Sequence, residues 1–365
     1  MIEFFIVLTI VTLLAYYLER TSVTIGRCRS GKLRRYRRRE INPYGFYSIL
    51  VILIFFVGLR VSYNDTWVYR LNFVQLVPGM QSFERIDWRI SENPGFQICN
   101  IIIKTYISQD PQVMLFLYSF ITIILLFLFY RRWSTQFWLT VFLFGSSSTL
   151  LFSMAAVKQV AAMSIGLWGI SCFLKNKRYW FVVLVLIGTS LHAFLPFYLT
   201  AFFLYDKVWS KKVLLAILGA LVAGLFIEQF IELTSSATQL IGAEYEKHGE
   251  LAEAGMNVMR FAVYCVTPVL TWIYRHQINE KGDKLMILFS NFTLIGWCFM
   301  FVALFVSANM FGRMAAYFDP FMHLALTTLL VRYIPRTERR FVLSGCITAY
   351  CIFLFSELFI QGFVY

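Results

Sequence analysis

Apolar stretches of membrane-spanning length recur along the whole chain, each bounded by lysine or arginine. About 20 apolar residues cross the hydrocarbon core of a bilayer as a helix, and helix is imposed there because no water is present to satisfy backbone polar groups. The chain is therefore expected to be an all-α polytopic integral membrane protein. A soluble core is excluded by composition, since 59% of residues are hydrophobic and 15% charged, against roughly 45–50% apolar in soluble domains. The formal net charge of +13 would point to nucleic acid in a soluble protein. Here the basic residues occupy loops between spans, where they set orientation, and no nucleic-acid partner is implied. Cys172, Cys265, Cys298, Cys346 and Cys351 fall inside apolar spans and read as small core residues, so no disulfide framework is implied.

The loop charges give a map. The first span, residues 2–17, has no basic region ahead of it and no small-residue cleavage site after it, and reads as a retained helix. Residues 20–39 hold nine basic side chains and should be cytoplasmic. Span 44–59 then crosses outward and delivers Arg60 to the head of a long outer loop, residues 60–112. Within it, residues 66–76 and 94–107 carry bulky apolar side chains at helical spacing, with Asp65 and Asn93 as N-caps and Pro94 at the first helical position. Both are expected to be amphipathic helices lying in the membrane interface.

Span 113–130 returns to Arg131 and Arg132. Residues 137–173, with Lys158 near the middle, are expected to form two spans meeting outside near 154–159. Residues 179–205 are expected to form a pair of short helices broken near His192. Read as one span, they would put the ten basic residues of loops 207–212, 275–284 and 332–340 outside, leaving only Lys247, Arg260 and Arg313 within. Helices that meet in mid-membrane are tolerated only beside protein or a water-filled cavity, so His192 should line one. Spans 213–231, 256–274, 285–306, 312–331 and 341–363 complete about twelve in a single transmembrane domain. Both termini are then outside, as is a second outer loop, 232–256, with Glu232, Glu244, Glu246, Glu250 and Glu253.

Charged residues that topology leaves unexplained are the candidates for chemistry, because each costs roughly 2.5–3.5 kcal/mol at the centre of a helix. Lys158, Arg260, Arg313 and Asp319 qualify. Asp319 precedes Pro320, where a kink is expected, and could pair with His323 one turn on. Arg260 lies near an outer helix end from which it can snorkel, while Lys158 and Arg313 sit near outer turns. His276 and His323 read as structural. No cluster of His, Cys, Asp and Glu on the outer side has metal-ligand spacing, so neither metal nor cofactor is expected.

Five motifs occur in order: Arg60 with Tyr63-Asn64-Asp65 and Tyr69; Glu92-Asn93-Pro94-Gly95-Phe96; Lys158-Gln159; Lys175-Asn176-Lys177-Arg178 followed by Leu191-His192-Ala193; and Arg313 with Tyr317-Phe318. Together they resemble the EpsG-like group of Wzy-type polysaccharide polymerases, and more broadly the lipid-dependent glycosyltransferases of GT-C type. The family pattern has Gly before the Asp and Arg before the Gln, where this chain has Asn64 and Lys158; lysine meets phosphate as a point charge and cannot grip it with two parallel bonds. The resemblance implies an enzyme of the bacterial cytoplasmic membrane, working on its outer face. It would transfer a growing glycan from a polyprenyl pyrophosphate carrier to another lipid-linked repeat unit, for an O-antigen, capsule or exopolysaccharide. Its implied partners are lipid-linked oligosaccharides, membrane lipids, and a chain-length regulator and flippase of the same pathway.

Glycosyl transfer needs cations where charge builds on the pyrophosphate and a base for the attacking hydroxyl. The candidates for substrate binding are Arg60, Tyr69, Lys158, Gln159, Arg260, Arg313 and Tyr317; the base is Asp65 or His192. Trp67, Tyr69 and Trp88 could stack on sugars, but aromatic residues anchor at membrane interfaces anyway, and that reading is preferred. A lipid-linked oligosaccharide flippase or other transporter is the rival function, disfavoured because the halves show no internal repeat and the polar residues gather on one side. A non-catalytic scaffold would explain the spans but not Lys158 or Arg313.

Overall fold

The computed structural model describes residues 2–21, 42–225, 258–305 and 308–360. Every regular element among them is helical. The amino-terminal half comprises α1 (Ile2–Thr21), α2 (Pro43–Gly58), α3 (Thr66–Gln75), the single turn α4 (Gln81–Glu84), α5 (Pro94–Ile102), α6 (Pro111–Trp133), α7 (Phe137–Ser146), α8 (Thr149–Ala155) and α9 (Val157–Leu174). Then come α10 (Arg178–Leu191), a 3-10 helix at Leu195–Phe202, α11 (Lys211–Leu225), α12 (Val258–Ile273), α13 (Arg275–Lys281), α14 (Lys284–Ala303), α15 (Ala308–Ala316), α16 (Asp319–Arg332) and α17 (Arg336–Ile360).

Local chemistry fixes where several of these begin. Asn42 and Asp110 accept from the amides of Tyr44 and Gln112 at 3.0 and 2.8 Å, each followed by proline at the first helical position. Such caps satisfy amides that a helix start otherwise leaves unpaired. The long helix α6 ends on Arg131 and Arg132, where positive charge meets the carbonyl end of the helix. Asp283 caps α14 and also pairs with Arg332 at 2.6 Å, tying the start of α14 to the end of α16.

The two helices expected in the first long loop are present. α3 starts at Thr66, and α5 starts at Pro94 and runs on as a π-helical turn over Ile103–Ile107. Their expected caps are not. Asn93 sits in the left-handed region at φ 55°, and its amide group donates to the Ser91 carbonyl. Asp65 has helical backbone angles and makes no capping bond; its carboxylate turns instead to Arg313. In the Glu92–Phe96 motif, Gly95 has a steric reason: a Cβ there would overlap Ser190 Oγ, so the start of α5 lies against the last turn of α10.

Breaks in the bundle fall close to where the charges placed them. Residues 137–173 divide at Ala156, inside the expected 154–159 turn, and again at Ser147–Ser148, where α7 and α8 bend by 55°. His192 is extended, and ends α10 before the 3-10 helix. α15 and α16 bend by 49° at Tyr317–Phe318, and the Asp319–Pro320 pair opens α16.

The expected count of twelve spans is not reached by length and composition. Among the described residues five helices qualify, α1, α6, α9, α14 and α17, or up to seven if each bent pair counts as one span. The shortfall has a physical origin in the shorter apolar helices α2, α10 and α12 and in the 3-10 segment after His192, none of which alone has the length of a bilayer core, while the expected span 213–231 is described only as far as Leu225, in α11. Most of the basic loop at 20–39 and all of the glutamate-bearing loop at 232–256 lie outside the described residues.

The core that positions the site is aromatic. Tyr198, Tyr317, Phe289, Phe292, Phe318 and Phe321 are all buried, and Tyr198 lies within 6.1 Å, centroid to centroid, of Tyr317, Phe292, Phe318 and Phe321. The Tyr198 hydroxyl donates to the Tyr317 carbonyl at 2.6 Å, satisfying an acceptor that the bend leaves free. Two helix breaks, at His192 and at Tyr317, are thereby packed together.

Candidate active site

A polar cavity of about 420 Å³ lies beside the α7–α8 bend, the break at Ala156 and the α15–α16 bend; His192, expected to line a cavity, is not among its lining residues. Asn64 and Asp65 enter from the turn before α3, Ser147 and Ser148 from the α7–α8 bend, Arg260 and Tyr264 from α12, Arg313 from α15, Asp319 from α16 and Glu357 from α17. Asn64 and Ser148 adopt left-handed backbone angles, φ 47° and 67°. Such angles are uncommon for residues other than glycine and mark local strain.

At one side, Arg313 Nη2 donates to Asp65 Oδ2 at 3.1 Å, joining residues 248 apart in sequence. Both side chains stay about a third exposed, 34% for Arg313 and 31% for Asp65. The Arg313 carbonyl accepts from Gln159 Nε2 at 2.5 Å, so the first turn of α9 holds α15 in register. One turn beyond Arg313, the Tyr317 hydroxyl meets His192 Nδ1 at 2.9 Å. Lys158, half-buried, and Arg313 both act electrostatically on His192.

Tyr69, one turn into α3, is close enough to feel Asp65, Arg313, the Lys158 backbone and Arg60. Burial first, and the Asp65 carboxylate second, push its phenol up to about 12, so it remains a neutral hydrogen-bonding group at physiological pH.

The cavity carries further polar groups. The Tyr264 hydroxyl and Thr149 Oγ1 donate to the two oxygens of Asp319, the latter at 2.9 Å. Arg260 is ion-paired to Glu357. Asp319 does not pair with His323 as expected. The imidazole lies deeper in the core, between the Tyr130 hydroxyl at 2.8 Å and the Ser147 hydroxyl at 2.6 Å, which leaves the Asp319 carboxylate facing the cavity. Among the described residues, no three His, Cys, Asp or Glu side chains gather at a spacing able to hold a metal ion.

A family model describing the EpsG family matches residues 44–364, which is most of the chain. The chain belongs to the EpsG family. Comparison with curated proteins and with solved structures gives no match. Membership makes this a multi-pass membrane protein of a glycosyltransferase-like, polysaccharide-polymerase family. Of the nine candidate site residues read from the sequence, Asp65, Arg260 and Arg313 line the cavity. Gln159, Tyr317, His192, Tyr69 and Lys158 surround Arg313 without lining it.

Arg60 does not line the cavity, though it lies close enough to Tyr69 to act on it. It is 3% exposed, donating to the Val57 carbonyl at 2.6 Å, to Thr66 Oγ1 at 3.1 Å and to Ser119 Oγ at 3.4 Å. Burial lowers its pKa to about 10, which leaves it charged at neutral pH. It ties the end of α2 to the start of α3 and to α6, and so holds Asp65 in place through the backbone. Sequence reasoning passed over Ser147, Ser148, Tyr264 and Glu357. Glu357 carried a usable signal, being an acid within an apolar span and open to the same test that found Asp319; the serines and the tyrosine carried none.

Proposed function

We propose that this EpsG-family protein transfers a growing glycan from a polyprenyl pyrophosphate carrier to a sugar hydroxyl of a second lipid-linked repeat unit, on the outer face of the cytoplasmic membrane. The Asp65–Arg313 pair at the edge of the polar cavity is the observation that carries this reading. An exposed carboxylate and guanidinium are held together only weakly, because solvent screens them, so an incoming pyrophosphate can take over the guanidinium with two parallel bonds. The displaced Asp65 carboxylate is then free to accept the proton of the attacking hydroxyl. The acceptor oxygen bonds to the anomeric carbon, the bond from that carbon to pyrophosphate oxygen breaks, and the leaving charge rests on Arg313 with Lys158 nearby. The His192–Tyr317 bond orients the bend that carries Arg313.

In this reading the short helices α2, α10, α11 and α12 and the 3-10 segment after His192 enter the bilayer beside longer neighbours, making about twelve crossings with both termini outside, and α3 and α5 lie in the outer interface. Purified protein in detergent supplies the test. Given lipid-linked repeat units, it should lengthen them without any second compartment; a preparation that moves such lipids across a vesicle wall yet never lengthens them would make it a flippase.

A further inference from the structure

Three buried polar atoms of the cavity residues have no hydrogen-bond partner among the described residues: Ser148 Oγ, Arg260 Nε and Glu357 Oε1. Native proteins leave few such groups, and three belonging to one cavity call for an explanation. They come from separate elements, the α7–α8 bend, α12 and α17, so no single distorted helix accounts for them.

Their chemistry is specific. Arginine Nε can only donate, the glutamate oxygen accepts, and the serine hydroxyl does both. A ligand hydroxyl is both donor and acceptor, and a ring bearing several of them can answer all three. A phosphate cannot: it would bring its oxygens against Glu357 and against Asp319, which lines the same cavity, with the Arg260 charge already matched by Glu357. The cavity volume lies within the roughly 300–1,000 Å³ of small-molecule sites.

We propose that Ser148, Arg260 and Glu357 form a sugar subsite that holds a monosaccharide ring of the glycan by its hydroxyls, across the cavity from the pyrophosphate end at Asp65 and Arg313. This deepens the transfer reading and rests on it for the identity of the sugar as part of a repeat unit. It divides the cavity by chemistry, with an end that holds hydroxyls beside Glu357 and Asp319 and an end where Arg313 meets the pyrophosphate.

The test uses the full chain in nanodiscs and two probes: oligosaccharides of one and two repeat units released by mild acid from the producing cell's own surface polysaccharide, and sodium pyrophosphate. Wild type should bind the oligosaccharides; Glu357→Gln should weaken that binding about tenfold, the effect of one lost hydrogen bond in which a charged group takes part, and Ser148→Ala, whose bond joins two neutral hydroxyls, about fivefold. Pyrophosphate binding should stay unchanged in both variants and fall in Arg313→Gln. Ser148→Ala touches no ion pair, so it keeps the test decisive should Glu357→Gln fail to fold. The proposal is overturned if wild type binds no oligosaccharide, if both variants bind it as wild type does, or if they lose pyrophosphate instead. Failure of the two readings is separable. A wild type that binds the sugar but never lengthens lipid-linked substrate keeps the subsite and loses the transfer reaction. One that lengthens substrate while the variants bind sugar normally does the reverse.

Discussion

Replacing Asp65 by asparagine separates chemistry from stability because the structure makes the two effects unequal. The carboxylate makes no capping bond to α3, so the roughly 0.5–2 kcal/mol that a lost N-cap would cost does not arise. Its ion pair with Arg313 joins two side chains each about a third exposed, a class of contact worth at most about 1 kcal/mol once solvent screening is counted. Asparagine keeps the shape and one acceptor oxygen. Thermal unfolding in detergent should therefore move little. Loss of a general base, in contrast, slows turnover by about 10²- to 10⁴-fold, and each tenfold is about 1.4 kcal/mol of barrier. The catalytic penalty is thus at least about twice the largest stability penalty. The assay is the initial rate of lengthening of lipid-linked oligosaccharide, normalised to folded protein. His192→Ala serves as the comparison and should cost less than about tenfold, since His192 lies off the cavity wall and its Nδ1 is engaged by Tyr317. If Asp65→Asn stays within threefold of wild type while His192→Ala abolishes chain growth, the imidazole is the base and the assignment is wrong.

Arg60→Ala should damage folding instead of chemistry. It removes three bonds from a buried cation and should lower stability by roughly 3 kcal/mol or more, seen as a lower unfolding midpoint; a variant that folds normally but fails to bind pyrophosphate would show that Arg60 works on substrate. Topology is tested by Trp88→Cys, at a side chain 69% exposed in the first long loop. It should react with an impermeant thiol reagent added to intact cells, and labelling only after lysis would invert the map.

Much of the fold was legible because loop charge and span length act independently. Breaks at Ala156 and His192 follow from the same arithmetic of apolar length against basic loops, and α3 and α5 begin at Thr66 and Pro94 as expected, though without the side-chain caps expected of Asp65 and Asn93. What remained hidden is how a short helix is accommodated. α10 and the 3-10 segment after it are too short to be told from a single tilted span by hydropathy. What separates them is Tyr198, whose hydroxyl satisfies the Tyr317 carbonyl at a helix bend far along the chain. Pairings of that kind leave no local trace.

The site divides along the same line. Asp65, Arg313, Lys158 and His192 stood out because a charge or a break beside an apolar helix is expensive wherever it points, and the structure gathers them around one bend. The capping role expected of Asp65 failed because an N-cap competes with any stronger partner in reach, and a guanidinium 248 residues away is such a partner. Asp319 shows the converse. Spacing alone paired it with His323 one turn on, yet a bend immediately before Asp319 turns the two side chains to different neighbours, the acid to Tyr264 and Thr149, the imidazole to Tyr130 and Ser147. Helical spacing predicts contact only along an unbroken helix whose side chains have no better partner. Beside a cavity that condition fails first, because broken helices are what leave room for a cavity.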